Sequence, residues 1–385
     1  MKKKLLFVLR QFYSGGMENA LINMLNALGA QRYDIDIVVL DQTHPKDTIS
    51  LFDRLPSWIR ALNAAEGEPK LITFCMKCLQ RLWERVTGRI LIRKNAKVFI
   101  RNIEYDMAFS YGEWLPPEFV ACNVSAKQKF VWIHTDLDKA LYINEKIIFK
   151  WKERFSSYIF VSKPSMEKAV KTYPFLAGRA LVIHNICDDE RIRSLSKDPL
   201  PEQYSTQKQV IVTVSNIRPE KNHILQVEVA ALLHKWGLPI VWWNIGSLSN
   251  KKYVRQVKDA IEEYGVSEYF LLLGAIDNPY PFLLRAALSV LLSEYESWSM
   301  VITESKLLGI PIIASDTSGA REQITDQKTG IIANGTAGQI AEQIFSLLRS
   351  PKQQEAIRQN LEGFASSEQA LREFSLLSSL CKETT

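Results

Sequence analysis

Leu288-Ser289-Val290-Leu291-Leu292 runs directly into Ser293-Glu294-Tyr295-Glu296-Ser297-Trp298-Ser299-Met300-Val301-Ile302-Thr303-Glu304. The first five residues read as a short buried strand and the residues from about Met300 as a helix, with a polar loop between them. Glu296 falls in the loop, and Glu304 about one and a half turns into the helix. The amides of Ser297, Trp298, Ser299, Met300 and Val301 then lie at or near a helix N-terminus, where unpaired N–H groups and the helix dipole suit a phosphate. A carboxylate before that anion and another after it would fit sugar hydroxyls on one side and a ribose diol on the other. Two glutamates eight apart are common as solvated helix charges. The strand–loop–helix setting is what favours a site.

The same alternation extends in both directions. Val210–Val214, Ile240–Trp243, Phe270–Leu273 and Pro311–Ala314 are strand-like, with helical patterns between them. Earlier come Leu5–Leu9, Ile35–Leu40, Met107–Ser110, Phe130–Ile133, Tyr158–Val161 and Leu181–Ile183. Short apolar strands separated by helices imply parallel sheets covered on both faces. Residues 196–209, with Pro199 and Pro201, read as a linker between two such series. The expected architecture is α/β, with two Rossmann-like domains facing a central cleft. They span 1–196 and 197–365, and a last helix over 366–385 is a candidate to return to the first domain. Residues 336–385 are expected to be helical throughout.

Ligands of such sheets gather at the carboxyl ends of the strands, and three more motifs fall there. Ser14-Gly15-Gly16-Met17-Glu18 joins the first strand to a helix, either as a tight turn or as a close backbone approach to an anion. Val214-Ser215-Asn216-Ile217-Arg218-Pro219-Glu220-Lys221-Asn222 follows another strand, and Lys221 there is a natural partner for a diphosphate. His134 ends the run Phe130-Val131-Trp132-Ile133, as a structural or a site residue. His44, His223 and His234 read as loop or helix-surface residues, and His184 ends a strand beside Asn185.

Charge is uneven. The chain of 385 residues has a net charge of +6. Residues 1–200 hold 31 Lys+Arg and 22 Asp+Glu, a net of +9, which leaves −3 for the remainder. Nine of those basic residues fall between Lys70 and Arg101 against a single acid, Glu84. Leu71, Phe74, Cys75, Cys78, Leu79, Leu82, Val86 and Ile90 recur there at helical spacing, with Trp83 at the border. An amphipathic basic helix of this kind attracts anionic lipid headgroups, while a solvated basic face is the simpler reading. No nucleic-acid-binding module is present, so nucleic acid is not an expected partner.

The five cysteines form no disulfide framework, and Cys75-x-x-Cys78 has no second metal-ligand pair. The opening Lys2-Lys3-Lys4 leads into too short an apolar run for a secretory signal, and no run is long enough to span a membrane. A cytoplasmic protein, peripheral at the inner face of the plasma membrane, is the expectation.

Taken together, the chain resembles the GT-B retaining glycosyltransferases of family four. The resemblance rests on Gly15-Gly16-x-Glu18, Trp132-Ile133-His134, Ile183-x-Asn185, Pro219-Glu220-Lys221-Asn222, Glu296-x7-Glu304 and the Ser315–Ile324 stretch with Gly319 and Glu322. It implies transfer of a sugar from a nucleotide diphosphate sugar to a lipid-linked or glycan acceptor, with retention and with no metal or other cofactor. By resemblance, Glu296 contacts the transferred sugar and Glu304 the ribose, while His134 sits beside sugar and acceptor. Lys221, the amides of residues 298–301 and the Gly15-Gly16 loop hold the diphosphate, and backbone near Gly274–Asn278 meets the base. Asn216 stands where the family usually has Arg, which leaves Arg218 as the nearest substitute. Ser297-Trp298-Ser299 replaces the usual Gly-Phe-Gly and narrows the pocket. A non-catalytic GT-B subunit and a sugar-nucleotide epimerase are the alternative readings.

Overall fold

The structure is a computed structural model that describes residues 2–13, 15–42, 49–66, 79, 82–83, 86–87, 93–113, 115, 117–139 and 144–380. Cys75, Cys78, His44 and most of the basic segment 70–101 lie outside the described residues. The chain forms two units: Met1–Ile186 with the chain from Glu368 onward, and Cys187–Ser367.

The first unit is built on strands β1 (Lys3–Leu9), β2 (Tyr33–Val39), β3 (Arg60–Asn63), β4 (Glu104–Tyr111), β5 (Ser125–Ile133), β6 (Ser157–Phe160) and β7 (Ala180–Val182). They form one sheet in the order β3-β2-β1-β4-β5-β6-β7, every pair parallel. Parallel neighbours cannot be joined by a hairpin, so each connection crosses a face of the sheet and buries it. That is why Leu5 to Leu9 are all fully buried rather than alternating. Phe7 and Phe109 stack at 4.6 Å, and Phe109 and Phe130 at 5.2 Å, which makes a row of aromatic rings across β1, β4 and β5.

The helix Ser367–Leu380 completes this row. Phe374 is fully buried, with ring centroids 6.0 Å from Tyr33 and Phe109 and 6.5 Å from Trp132. Next to it, the Glu373 carboxylate accepts the His184 backbone N–H at 2.9 Å and meets the imidazole Nδ1 at 2.7 Å. Burial works against the Glu373 charge, but the His184 bonds outweigh it and hold the carboxyl below its usual range. His184 therefore serves as an anchor for the last helix.

The second unit carries β8 (Gln209–Val214), β9 (Ile240–Ile245), β10 (Phe270–Gly274), β11 (Leu288–Leu291), β12 (Ile312–Ser315) and β13 (Ile331–Ala333). Their order is β10-β9-β8-β11-β12-β13, again all parallel. One cluster packs Val227, Ala230 and Leu233 of the helix His223–Lys235 with Trp242, Val257, Ile340, Ile344 and Leu347. Another packs Phe282 and Leu283 with Trp243 and Val212.

Several expectations need correction. The edge strands β3 and β13 were not anticipated; β3 carries Arg60 and Asn63 at its ends and so lacks the apolar run that marks the other strands. Residues 196–209 are no free linker: Tyr204 packs edge-on against Trp243 and Phe282, with centroids 5.9 and 5.0 Å away. The helix Asp189–Leu195 contacts the helices Tyr280–Arg285 and Met300–Leu307, so the units divide at Ile186/Cys187 rather than at 196/197. The chain returns to the first unit at Ser367/Glu368 rather than at 366. Among the described residues, 336–380 hold three helices, Ala337–Leu348, Pro351–Leu361 and Ser367–Leu380. Ser350-Pro351 breaks the first from the second, since proline has no N–H to continue a helix.

Replacing Phe374 by Ala should cost the first unit about 3–5 kcal/mol, the usual loss for an aromatic core residue. Urea denaturation with hydrogen exchange along Ser367–Leu377 would show it, and unchanged exchange there would contradict the anchoring role.

Candidate functional site

In the second unit the expected residues sit on loops at the carboxyl edge of the sheet. After β8 the chain makes a single helical turn, Pro219–Lys221, and Asn222 adopts a left-handed backbone (φ 51°) before the helix His223–Lys235. The Glu294 N–H donates to the Glu220 carbonyl at 2.9 Å, tying this turn to the loop after β11. That tie brings together Lys221 and Glu296, which are 75 residues apart: Lys221 Nζ donates to Oε1 at 2.7 Å and Oε2 at 2.8 Å. The side chains are only 20% and 17% exposed, so the pair is shielded more than a surface salt bridge. Two of the three ammonium N–H groups are used, which leaves one for a further acceptor.

Glu296 is held from its other side by backbone. Its carbonyl accepts the Gly319 N–H at 2.7 Å, and a Cβ at Gly319 would lie 2.7 Å from the Ser297 carbonyl carbon. Only glycine allows this approach. Met300–Leu307 forms the expected helix with Ser299 as its N-cap. Its first intrahelical N–H is that of Thr303, donated to the Ser299 carbonyl at 3.5 Å, so Met300, Val301 and Ile302 offer the first-turn amides.

The anion-binding reading of Ser299 is corrected. Its N–H donates to Gln323 Oε1 at 2.9 Å, and Gln323 Nε2 donates back to the Ser299 carbonyl at 2.7 Å. This closed pair consumes an amide otherwise expected to meet a phosphate. Ser297 is buried and Trp298 half-buried. Asn216 Oδ1 accepts the Ser247 N–H at 2.9 Å and so fastens the loop after β9. Arg218 is 47% exposed, 3.9 Å from Glu220. The surface reading of His223 was wrong: it is fully buried, its Nε2 3.3 Å from Ser215 Oγ. Burial, then the Lys221 charge, pushes its pKa down to about 4.

Glu304 lies on the same helix, and the Tyr280 hydroxyl donates to its Oε1 at 3.3 Å. Burial raises the carboxyl to about 7 against the opposing pull of that bond. The loop after β10 ends in Asn278, whose Nδ2 donates to the Leu195 carbonyl at 2.9 Å and to Asp198 at 2.8 Å. Its amide group is thus structural.

In the first unit, Gly15 caps the helix Gly16–Leu28 with ordinary extended backbone (φ −158°). Glu18 folds back over this helix start: a Cβ on Gly15 would meet its Oε2 at 2.6 Å. The Glu18 carboxylate therefore lies beside Gly15, where a larger residue would meet it. His134 ends β5, with its N–H donated to Glu113 Oε2 at 2.9 Å. Its ring is stacked with Trp132 at 6.0 Å and tilted against Tyr111 at 4.6 Å. Neither ring nitrogen has a hydrogen-bond partner among the described residues, and burial drops the pKa to about 3. The imidazole is neutral at physiological pH, and both of its ring nitrogens are shielded from solvent. Burial also raises Glu113, while the His134 N–H opposes it.

Sequence reasoning missed Glu113, Tyr280 and Gln323. Glu113 had a usable signal, an acid two residues past a buried strand, at the edge where ligands bind. Tyr280 and Gln323 act through partners 24 residues away, and nothing local marks them.

Residues 197–363 match the sequence model of the family described as "Glycosyl transferases group 1". A Campylobacter jejuni relative is the N-acetylgalactosamine-N,N'-diacetylbacillosaminyl-diphospho-undecaprenol 4-alpha-N-acetylgalactosaminyltransferase. It is 27% identical over 172 residues, 44% of this chain and 44% of the relative. A mouse GDP-Man:Man(3)GlcNAc(2)-PP-Dol alpha-1,2-mannosyltransferase is 26% identical over 193 residues, 46% of this chain and 39% of that protein. The chain thus spans less than half the length of these two relatives. Among solved structures, Anabaena HepE in complex with UDP and glucose superposes with a TM-score of 0.72 at 17% identity, covering 98% of this chain and 99% of that one. The shared fold is GT-B.

Because Glu304 is raised from 4.5 to about 7, its contribution to stability is full below pH 4.5 and lost as pH rises through 7. Glu304→Gln should gain on the unmodified protein over that range, by up to about 3 kcal/mol above pH 7. Denaturation at pH 4.5 and 8 checks it, and an equal gap at both values would refute the burial of this charge.

Proposed function

With residues 197–363 a glycosyl transferases group 1 domain, we propose that the protein moves a sugar from a nucleotide diphosphate sugar to a lipid-linked or glycan acceptor, with retention, in cell-surface polysaccharide synthesis. The observation that carries this reading is the Lys221–Glu296 pair, set on two loops tied by backbone beside the start of the Met300–Leu307 helix. The names of the relatives support the acceptor class, since one cites diphospho-undecaprenol and the other PP-Dol. HepE, solved with UDP and glucose, supports the donor class.

Chemically, departure of a diphosphate needs positive charge fixed in place before the bond breaks. Lys221 and the amides of Met300 and Val301 supply it in this reading, so no metal is required. Glu296 accepts hydroxyls of the transferred sugar while keeping Lys221 oriented. Glu304 accepts the ribose hydroxyls. In the first unit the neutral His134 offers a hydrogen bond to a sugar or acceptor hydroxyl, and the leaving phosphate takes the acceptor's proton in a front-face attack. A second reading, a non-catalytic GT-B subunit, draws on Asn216 in place of the family arginine and on the Ser299 N–H spent on Gln323.

Lipid-linked acceptors sit at a membrane, and one surface feature fits that setting. Leu79, Leu82, Trp83 and Val86 are 55%, 62%, 45% and 76% exposed at positions i, i+3, i+4 and i+7. An outward apolar stripe in a stretch rich in Lys and Arg suits an anionic bilayer, with the protein peripheral at the cytoplasmic face. Among the described residues no helix is long and apolar enough to cross a membrane.

Glu296→Ala, Lys221→Ala and His134→Ala should each lower transfer by about 100-fold or more with the fold intact. Activity assays beside circular dichroism check this, and full activity in Glu296→Ala would sink the enzyme reading. Nucleotide binding without turnover on any acceptor would favour the non-catalytic one. A donor at 100 times its Kd adds about 2.7 kcal/mol of stability, so thermal shifts with UDP-, GDP- and ADP-sugars should identify the base. The protein should pellet with phosphatidylserine vesicles at low salt and be released at high salt. Leu82→Ser with Trp83→Ser should abolish pelleting, and unaltered pelleting would overturn the stripe's role.

A further inference from the structure

We infer that Tyr280 is a positioning residue for nucleotide binding: its hydroxyl aims the Glu304 carboxylate at the ribose hydroxyls of a nucleoside diphosphate. This rests on the donor-site reading above and adds to it a residue outside the glutamate motif. The geometry begins with the carboxylate, whose Oε1 takes the Tyr280 hydroxyl hydrogen at 3.3 Å, which leaves Oε2 for a ligand. Tyr280 is itself anchored. It opens the helix Tyr280–Arg285 behind Pro279, and its N–H donates to Asn278 Oδ1 at 3.3 Å. Asn278 is in turn bonded to Leu195 and Asp198. A chain of hydrogen bonds thus runs from the helix Asp189–Leu195, through the loop before Tyr280, to the ribose-side carboxylate.

The phenol matters because the surroundings disfavour a charged Glu304. Cys187 lies against it, fully buried, and its thiol is pushed up first by burial and then by Glu304, Asp189 and Asp188. Arg191 faces Tyr280 from the same helix, and Lys306 on the Glu304 helix turns its ammonium to the Gln323 carbonyl at 2.8 Å. Among the described residues, the Tyr280 hydroxyl is the one group whose hydrogen bond draws Glu304 back toward ionisation, leaving it at about 7. Ribose hydroxyls donate hydrogen bonds, and an ionised carboxylate accepts them better than a protonated one does. Nucleotide affinity should therefore fall as pH drops through 7. Without the phenol hydroxyl, Glu304 protonates at higher pH, so that fall begins earlier. The ring of Tyr280→Phe keeps its packing, which separates the hydroxyl's role from a structural one.

Calorimetric titration of UDP, GDP and ADP into the full chain between pH 6.5 and 9 tests this in the unmodified protein, Tyr280→Phe and Glu304→Gln. For the nucleotide that binds, Tyr280→Phe should weaken affinity about fivefold at pH 7, the loss of one hydrogen bond. It should regain most of that affinity by pH 9. Glu304→Gln should remove the step near pH 7, leaving those of the nucleotide phosphate and of Lys306, which burial lowers to about 8. In turnover, Tyr280→Phe should raise donor KM with kcat nearly unchanged. An unaltered affinity and pH profile in Tyr280→Phe would overturn this inference while the donor-site reading stands. Failure of all three nucleotides to bind the unmodified protein would overturn both.

Discussion

Parallel strand pairing is the constraint on which the rest of this molecule depends. Each neighbouring pair in both sheets runs the same way, so every connection must return across a face of the sheet before the next strand begins. Both faces are thereby covered, and strands such as β1, β8, β9 and β11 become short apolar runs. The loops leaving the carboxyl ends collect along one edge of each sheet, freed from any role in the core. Lys221, Glu296 and Gly319 reach one another because β8, β11 and β12 are adjacent in space, although their loops are far apart in sequence. The row of Phe7, Phe109 and Phe130 in the first unit has the same origin, and Phe374 closes it from the other end of the chain.

Candidate site residues in each unit work against stability. Glu304 in the second unit and His134 in the first are half-buried residues whose charged forms are disfavoured by desolvation, one shifted up and the other down. A fold optimised only for stability would replace them with apolar residues of similar size. Under the proposed function those environments serve ligand binding. A carboxyl poised near 7 and an imidazole that stays neutral can hydrogen-bond a polyhydroxylated ligand without drawing a counter-ion. Lys221 and Glu296 solve the same problem by pairing, which keeps both oriented in a half-buried setting and still leaves one ammonium donor. Gln323 and Tyr280 then hold the backbone and the carboxylate beside them.

Much of this was legible along the chain, and the limits have identifiable causes. Glu296, Glu304 and Lys221 stood out because each lies past a buried strand, and that position carries information even in a single sequence. Gly319 was noticed as part of a motif, but the need for glycine there became plain only with the Ser297 carbonyl beneath it. His223 was misread because a histidine next to Asn222 at a helix start looks solvated. Its burial depends on Tyr253 and Ser215, neither of which is implied by local pattern. Ser299 was read as an anion donor because a helix start offers open amides, and the side chain that closes one of them comes from 24 residues away.

The sequence by itself determined two α/β series with their strands, the carboxyl-edge loops and the residue types that could meet a sugar nucleotide. Strand period and apolar burial are local properties, and a run of five residues carries them. The tertiary structure alone decided which side chains are partners, which amides remain open and which groups lose their charge. Those outcomes follow from distance and desolvation among residues far apart in the chain: Lys221 with Glu296, Tyr280 with Glu304, Glu373 with His184. Electrostatic interactions strengthen as water is excluded, and water is excluded only where the packed chain has closed around the group.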